Sequence, residues 1–516
     1  MNAIDTFDAG VFRRIAGRRS LDPRLPQDIA ACRPHVVVLG ELILDGWWSG
    51  SIDRLCREAP VPVFDVLSRE YSPGGGANTA VNLAALGAKV SLLGLIGDDD
   101  DGRLLRRLLT EAGVGTHGVI TVPGLRTQSK TRLSSEDQLL LRYDDGARRR
   151  AGTTETLLLG QAQGEMVAVA REVLPDSRAV VVCDYGQELL PLGLASELRS
   201  WAPQNPLFVV DAHDASRWAP LEPDLVTPNA AEAARLAGRD VETDRRVDWA
   251  REVAPIILSR TRSRNVVVTL DREGTVLVES AGAAEGRAQA HRTWAHPVPN
   301  KQASGGGDTF VAALTVAAAS GLPLRLSADL AQVAADVAVH RPGTAVCSLG
   351  DLSDRLSDIP GKVVDPGTLL REVSVARAHG LRIVLTNGVF DVLHRGHTSY
   401  LEQAKELGDV LVVAVNGDES TRRLKGEGRP VNRLEDRTAL LASLRCVDYI
   451  TVFHSDTPIP LIEALRPDVY AKGGDYQAGS LEEAPVVERC GGRVVILDYV
   501  PDYSTSAVVR RIKSRR

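Results

Sequence analysis

Apolar, β-rich runs recur along this chain, and they are too apolar for one face of each to lie in water. HVVVLG (35–40), KVSLLGLIG (89–97), AVVVCDYG (179–186), LFVVDAH (207–213), DLVTPN (224–229) and NVVVTL (265–270) are separated by Ala/Leu/Arg-rich segments of helical character. Strands covered on both faces and joined by helices predict a mostly parallel α/β sheet. A second series begins at RIVLTNG (382–388) and continues through VLVVAVNGD (410–418), DYITVF (448–453), DVYAKGGD (468–475) and RVVILDYV (493–500), which predicts a smaller sheet of about five strands. Between the two series the chain turns rich in Gly, Pro, Asp and Ser. With 516 residues, it is longer than one core usually supports.

These patterns predict an N-terminal extension over 1–34, a first domain over 35–350, a linker over 351–378 and a second domain over 379–516. The formal net charge of −6 supplies no basic field for a nucleic-acid backbone, so nucleic acid is not expected as a partner. The six cysteines are far apart and form no C-x-x-C pair, which points away from a zinc cage or a disulfide framework. No stretch approaches the ~18 apolar residues of a membrane span, and the first residues lack a long apolar core. A cytoplasmic protein without membrane contact is the expectation. Only eight of the 61 basic residues are lysine, so a lysine in a glycine-rich loop stands out.

The sharpest feature of the first half is ASGGGDTFVAALTVAAASG (303–321), a glycine loop running into an Ala-rich helix. Converging N–H groups of Gly305, Gly306 and Gly307 at a helix N-terminus suit a transferring phosphoryl group. Asp308, in the first turn, has the chemistry of a base for a hydroxyl; an N-cap aspartate after a turn is the plainer alternative. Gly74–Gly76 would by themselves be a turn into a helix, Lys130 and Arg132 a solvated strand face, and Asp45 a strand end.

In order along the chain stand GELILDGWW (40–48), DRLCREAPVPVF (53–64), SPGGGANTAVNLAALGA (72–88), SKTRLSSEDQLLLRYD (129–144), CDYG (183–186), TPN (227–229), VTLDREGT (268–275) and SGGGDT (304–309). Over nearly all of 35–350 this half resembles the ribokinase-like carbohydrate kinases, and within them the heptose 7-phosphate kinase branch. The resemblance implies that Asp45, Gly74, Gly75 and Asn78 bind the sugar, and that Lys130, Arg132 and Arg142 lie near sugar and distal phosphate. It also implies that Asn229 and Glu232 sit near the ATP phosphates and magnesium. Three positions depart from the family pattern: Glu41 replaces an aspartate, His213 a lysine, and Gln302 an acidic residue six positions before the base.

In the second half, TNGVFDVLHRGHTSYLEQAKELGD (386–409) puts Thr386, Asn387 and Gly388 at a strand end and His394 and His397 at the next helix entry. The H-x-G-H spacing lets two imidazoles face one phosphate across a glycine; capping or metal-binding histidines are the alternatives. RLKGEGRPVN (423–432) adds Lys425 and Arg429, and AKGGDYQAG (471–479) adds Lys472 and Gly473. Ser504, Thr505 and Ser506 begin a terminal helix, a further hydroxyl-rich anion site or a solvated end.

Residues 380–516 resemble the cytidylyltransferase-like nucleotidyltransferases, and most closely the adenylyltransferase half of the bacterial bifunctional heptose kinase/adenylyltransferases. The two resemblances together imply a ribokinase-like domain followed by a Rossmann-like nucleotidyltransferase domain. They imply ATP with Mg²⁺, sugar phosphates as substrates, a separate phosphatase acting between two steps, and a homodimer. Other readings keep these folds with another sugar phosphate or with CTP, or make the first half a degenerate sugar-binding or dimerising module.

Overall fold

The computed structural model describes residues 9–18, 21–136, 138–146, 153–191, 193–202, 206–280, 289–296, 303–341, 343–357, 362–378, 380–473 and 481–497. The chain divides into two compact units, Met1–Leu356 and Ser357–Arg516.

The first unit is built on a nine-stranded sheet. Its spatial order is Gln289–Thr293, Thr275–Glu279, Asn265–Thr269, Leu225–Val226, Leu207–Ala212, Ala179–Asp184, His35–Gly40, Lys89–Gly97, Gly115–Val122. The pairings are parallel from Asn265–Thr269 through Gly115–Val122, and the two strands at the other edge pair antiparallel. Alternate residues of one strand serve opposite faces. Val36 and Val38 join a core with helices Gly76–Ala85, Gly306–Ala319 and Leu324–Val339, while Val37 and Leu39 join a second core with helices Thr153–Val173, Ala230–Ala237 and Arg246–Thr261. Full burial on both sides accounts for the near-continuous valines.

A separate four-stranded sheet, in the order Pro62–Gly75, Leu42–Leu55, Gln128–Ser135, Gln138–Asp145, carries Asp45, Lys130 and Arg132. Strands Ala303–Ser304 and Gly343–Thr344 pair in parallel just ahead of the glycine loop.

The stretch before residue 35 shows little periodicity in sequence, yet Ala9–Ala16 and Leu25–Cys32 are helices. Val11, Ile15, Leu25, Ile29 and Cys32 are buried in the first core. Their spacing of three or four residues is a short helical stripe. Likewise Leu349–Ser357 is a helix that sends Leu352 and Leu356 into the first unit's core.

The second unit is a five-stranded parallel sheet in the order Tyr449–Phe453, Val410–Asn416, Ile383–Gly388, Val469–Gly473, Arg493–Leu497. Helix Pro366–Ala378 belongs to it through Leu369 and Val373. Among the described residues no helix is long and apolar enough to cross a membrane.

Candidate active sites of the two units

Parallel strands deliver their carboxyl ends to one edge of the first sheet, where α/β folds bind ligands. Glu41, Asp184, Tyr185, Asp211 and Thr227 all follow or end such strands. Facing them is the start of helix Gly306–Ala319, whose N-cap Gly305 adopts φ +87°. A Cβ at Gly305 would lie 2.5 Å from the Asn78 amide nitrogen, so only glycine fits the turn. Gly306 and Gly307 open the helix, and Asp308 follows in its first turn.

Asp308 lines an open cavity with Asp45, Lys130, Arg132, Tyr185 and Ser304. Its Oδ2 accepts the Asn78 amide at 2.8 Å and its Oδ1 accepts the Tyr185 hydroxyl at 3.2 Å. Burial, aided by the nearby Asp211 and Asp45 carboxylates, pushes its pKa up to about 7, against the pull of the Asn78 and Tyr185 donors. That value suits a base working near neutral pH.

Asp45 is buried and already engaged. Its Oδ1 accepts Arg132 Nη1 at 2.8 Å and its Oδ2 accepts the Thr344 hydroxyl at 3.1 Å. A Cβ at Gly74 would stand 2.6 Å from Asp45 Oδ2, which explains the glycine there. Arg132 also donates to Ser304 at 3.3 Å and stacks 4.6 Å over the Trp47 ring, whose Nε1 donates to Thr344 at 3.1 Å. Gly75 and Lys130 line the same cavity. Asn78, through its bond to Asp308, is placed against that carboxylate; its own Oδ1 accepts from Asn82 at 3.0 Å.

Arg142 sits across from Arg132 in register, but it does not line the cavity: both guanidinium arms go to the Asp144 carboxylate, at 2.9 and 3.0 Å. Asn229 and Glu232 form a capping box on helix Ala230–Ala237, each side chain bonded to the other's backbone N–H. Glu232 Oε1 also lies 3.7 Å from His213 Nε2, and His213 lines the cavity. Gln302 lies outside the described residues.

Glu41 does not face the cavity. Buried at 1% exposure, it accepts the backbone N–H groups of Tyr185, Gln187 and Leu189, at 2.8, 2.8 and 3.4 Å. Burial, then the neighbouring Asp184, lifts its pKa to about 7. Tyr185, Asp211, Ser304 and Thr344 escape sequence reasoning. Tyr185 stands inside the CDYG run, so a signal existed, whereas nothing about Thr344 marks it.

In the second unit Thr386, Asn387 and Gly388 end strand Ile383–Gly388. Thr386 bonds the Tyr400 hydroxyl, which donates to the Ala471 carbonyl at 2.9 Å, and Asn387 Oδ1 accepts the Tyr470 hydroxyl at 2.6 Å. His394 occupies the N-cap position of helix Arg395–Glu406 and His397 lies in its first turn, with ring centroids 4.0 Å apart. Burial, then the neighbouring His394, drives the His397 pKa down to about 4; burial also lowers His394. His397 Nδ1 is buried without a hydrogen-bond partner among the described residues.

The loop over 426–432 is fastened to this edge through Asp391. It accepts Arg429 Nη1 at 2.5 Å and the N–H groups of Val431 and Asn432 at 2.7 and 3.0 Å. Arg429 is therefore paired in this state. Arg437, fully buried, donates to the Val389 and Asn416 carbonyls at 2.6 and 2.9 Å and to Asp418 at 2.6 Å, joining two strand ends. Lys425 ends helix Asp418–Lys425 in solvent. Lys472 is half-buried, 3.7 Å from Glu483, and a Cβ on Gly473 would meet the Tyr400 ring at 2.9 Å. Ser504, Thr505 and Ser506 lie outside the described residues.

Among the described residues no group of three or more His, Cys, Asp or Glu side chains is gathered to hold a metal. An ion carried in on ATP needs little more than one or two carboxylates beside the phosphates, and Glu232, in the first turn of helix Ala230–Ala237, offers one.

Residues 33–350 match the pfkB family of carbohydrate kinases, and residues 385–511 match the cytidylyltransferase-like family. The bifunctional protein HldE of Alcanivorax borkumensis is 36% identical over 500 residues, covering 96% of this chain and 99% of that one. The bifunctional protein HldE of Alkalilimnicola ehrlichii is 39% identical over 486 residues, covering 93% and 97%. A crystal structure of Escherichia coli phosphofructokinase-2 in complex with fructose-6-phosphate aligns with a TM-score of 0.49 at 22% identity, covering 63% of this chain and 98% of that one.

Proposed function

Because the chain belongs to the family of bifunctional HldE proteins, enzymes that join a pfkB-type carbohydrate kinase to a nucleotidyltransferase, we propose a specific pair of reactions for it. The first unit phosphorylates heptose 7-phosphate at the anomeric hydroxyl with ATP, and the second transfers an adenylyl group from ATP to heptose 1-phosphate, releasing pyrophosphate and ADP-heptose. The observation that carries the kinase reading is the cavity in which Asp308, a base with a pKa near 7, shares a wall with Asp45, Lys130 and Arg132. A carboxylate suits sugar hydroxyls, and the cations suit a distal phosphate.

The hydroxyl proton goes to Asp308 as its oxygen bonds to the γ-phosphorus and the bond to the β-bridging oxygen breaks. N–H groups at the start of helix Gly306–Ala319 face the charge that develops. Magnesium bound to ATP balances the phosphate charge. Glu41 has structural partners in this arrangement, so that departure does not argue for a degenerate kinase half.

The kinase product carries phosphates at both ends of the sugar, whereas the acceptor for adenylyl transfer carries one. A separate phosphatase must remove the distal phosphate between the two steps. Incubation of the full chain with ATP and heptose 7-phosphate should give the bisphosphate alone, and ADP-heptose only after a phosphatase is added, as identified by mass spectrometry. Failure to form the bisphosphate, or a CDP-sugar from CTP in preference, would overturn the assignment.

A homodimer is also part of this proposal. Leu67, Leu139, Leu141 and Tyr143 on the four-stranded sheet are more than half exposed, an apolar surface that water disfavours. Light scattering should give twice the chain mass, and a monomer at micromolar concentration would rule the dimer out.

A further inference from the structure

The Tyr185 hydroxyl lies 3.2 Å from Asp308 Oδ1 and 3.1 Å from Asp211 Oδ2. A phenol has one proton to donate, so it can serve only one of these carboxylates at a time. Each carboxylate also has a donor of its own: Asn78 for Asp308 at 2.8 Å, and the Thr227 hydroxyl for Asp211 at 3.1 Å. Among the described residues the phenol is thus the hydrogen-bond donor shared by both. Resting on the reading of Asp308 as the kinase base, we propose that Tyr185 is a positioning residue: a shared donor that holds Asp308 ionised to receive the sugar proton and turns to Asp211 once Asp308 has received it.

The arrangement is held from behind. Glu41 clamps the Tyr185 and Gln187 N–H groups, and Gly186 N–H bonds Asp184 Oδ1 at 3.0 Å, so the loop fixes where the phenol points. The Tyr185 ring packs edge-on against His213, with centroids 5.5 Å apart. Burial and the flanking carboxylates raise the phenol pKa well above 10, which keeps its proton in place throughout. The charged and titratable groups facing this trio are Asp45, Lys130 and Arg132 from the four-stranded sheet, Cys183 from the neighbouring strand, and His213 and Glu232 beyond Asp211. Two carboxylates this close oppose each other's ionisation, so the side that holds the phenol proton ionises first. The proton count closes: one proton passes from the sugar hydroxyl to Asp308 and later to solvent, and Tyr185 only changes acceptor.

The test is the pH profile of kcat/KM for the kinase half-reaction, measured on the full chain. In the wild type the acid limb should bend near pH 7, where Asp308 titrates. Tyr185→Phe removes a donor that favours the ionised form, so the limb should move up by about one pH unit. Activity at pH 7 then falls roughly fivefold and recovers by about pH 9, with little change in KM for the sugar. Asp211→Asn leaves the phenol only a neutral, weaker acceptor on that side and removes a negative neighbour, so the limb should move down. Opposite shifts from two adjacent changes are not what loosened packing produces. An unmoved limb in Tyr185→Phe, or an upward shift in Asp211→Asn, overturns the inference. Asp308→Asn separates this from the base assignment: if it abolishes turnover while Tyr185→Phe keeps the wild-type limb, the base stands and the shared donor does not.

Discussion

Asp308→Asn should lower kinase kcat by roughly 10²–10⁴, the range a positioned general base contributes, while adenylyl transfer by the same preparation stays at its wild-type rate. The amide keeps the shape of the carboxylate and can still accept from Asn78, which now bonds Asp308 Oδ2 at 2.8 Å. What it cannot do is take a proton. The loss therefore falls on kcat more than on KM. The two units have separate cores and separate sets of site residues, so adenylyl transfer serves as the internal control for the change. Near-normal phosphorylation by the variant would remove Asp308 from the role of base.

The same burial that makes Asp308 useful makes it expensive. Glu41, Asp211 and Asp308 all have pKa values raised to about 7 in the folded chain. Between about pH 4 and pH 7 the folded state then binds more protons than the unfolded one. Their contribution to stability is full below the unfolded carboxylate values and is lost as pH rises through 7. A site poised for chemistry at neutral pH is thus held by the surrounding valine-rich sheet, against the preference of its own charges.

Much of this was legible in the sequence. Runs of valine with no polar alternation announced strands buried on both faces, and the nine- and five-stranded sheets contain them where they were expected. The glycine loop and Asp308 stood out as a glycine run leading straight into an Ala-rich helix, and the structure adds why Gly305 is needed, since a Cβ there would meet the Asn78 amide. Pairing across the fold was not legible. Arg142 and Arg429 look alike in sequence as loose cations near a site, yet each is bonded to an aspartate, Asp144 and Asp391. Glu41 reads as a departure from a family pattern, and only the folded loop shows it clamping three N–H groups. The two N-terminal helices are eight residues each, too short for periodicity to emerge between arginines and prolines. Tyr185, Asp211 and Asp308 converge from distant points of the chain, a juxtaposition that only the sheet order creates.

Replacing His397 with alanine should cut adenylyl-transfer kcat by roughly 10²–10³, the usual scale for one preorganised donor, with modest change in KM for ATP. The unliganded ring is neutral near pH 7, because burial, then His394, holds its pKa at about 4. A neutral imidazole carries one N–H, and His397 Nδ1 has no partner among the described residues. Negative charge gathering on an α-phosphate between His394 and His397 would draw that donor. Bound ATP spreads less charge onto those oxygens than the transition state does, so the ground state gains less. His394→Ala should act in the same direction, and the two losses should fall short of additive because the rings, 4.0 Å apart, serve one phosphate. Both half-reactions of each purified variant settle the matter: kinase activity should persist, an equal collapse of both would mean misfolding, and wild-type adenylyl transfer would take the histidines out of the mechanism.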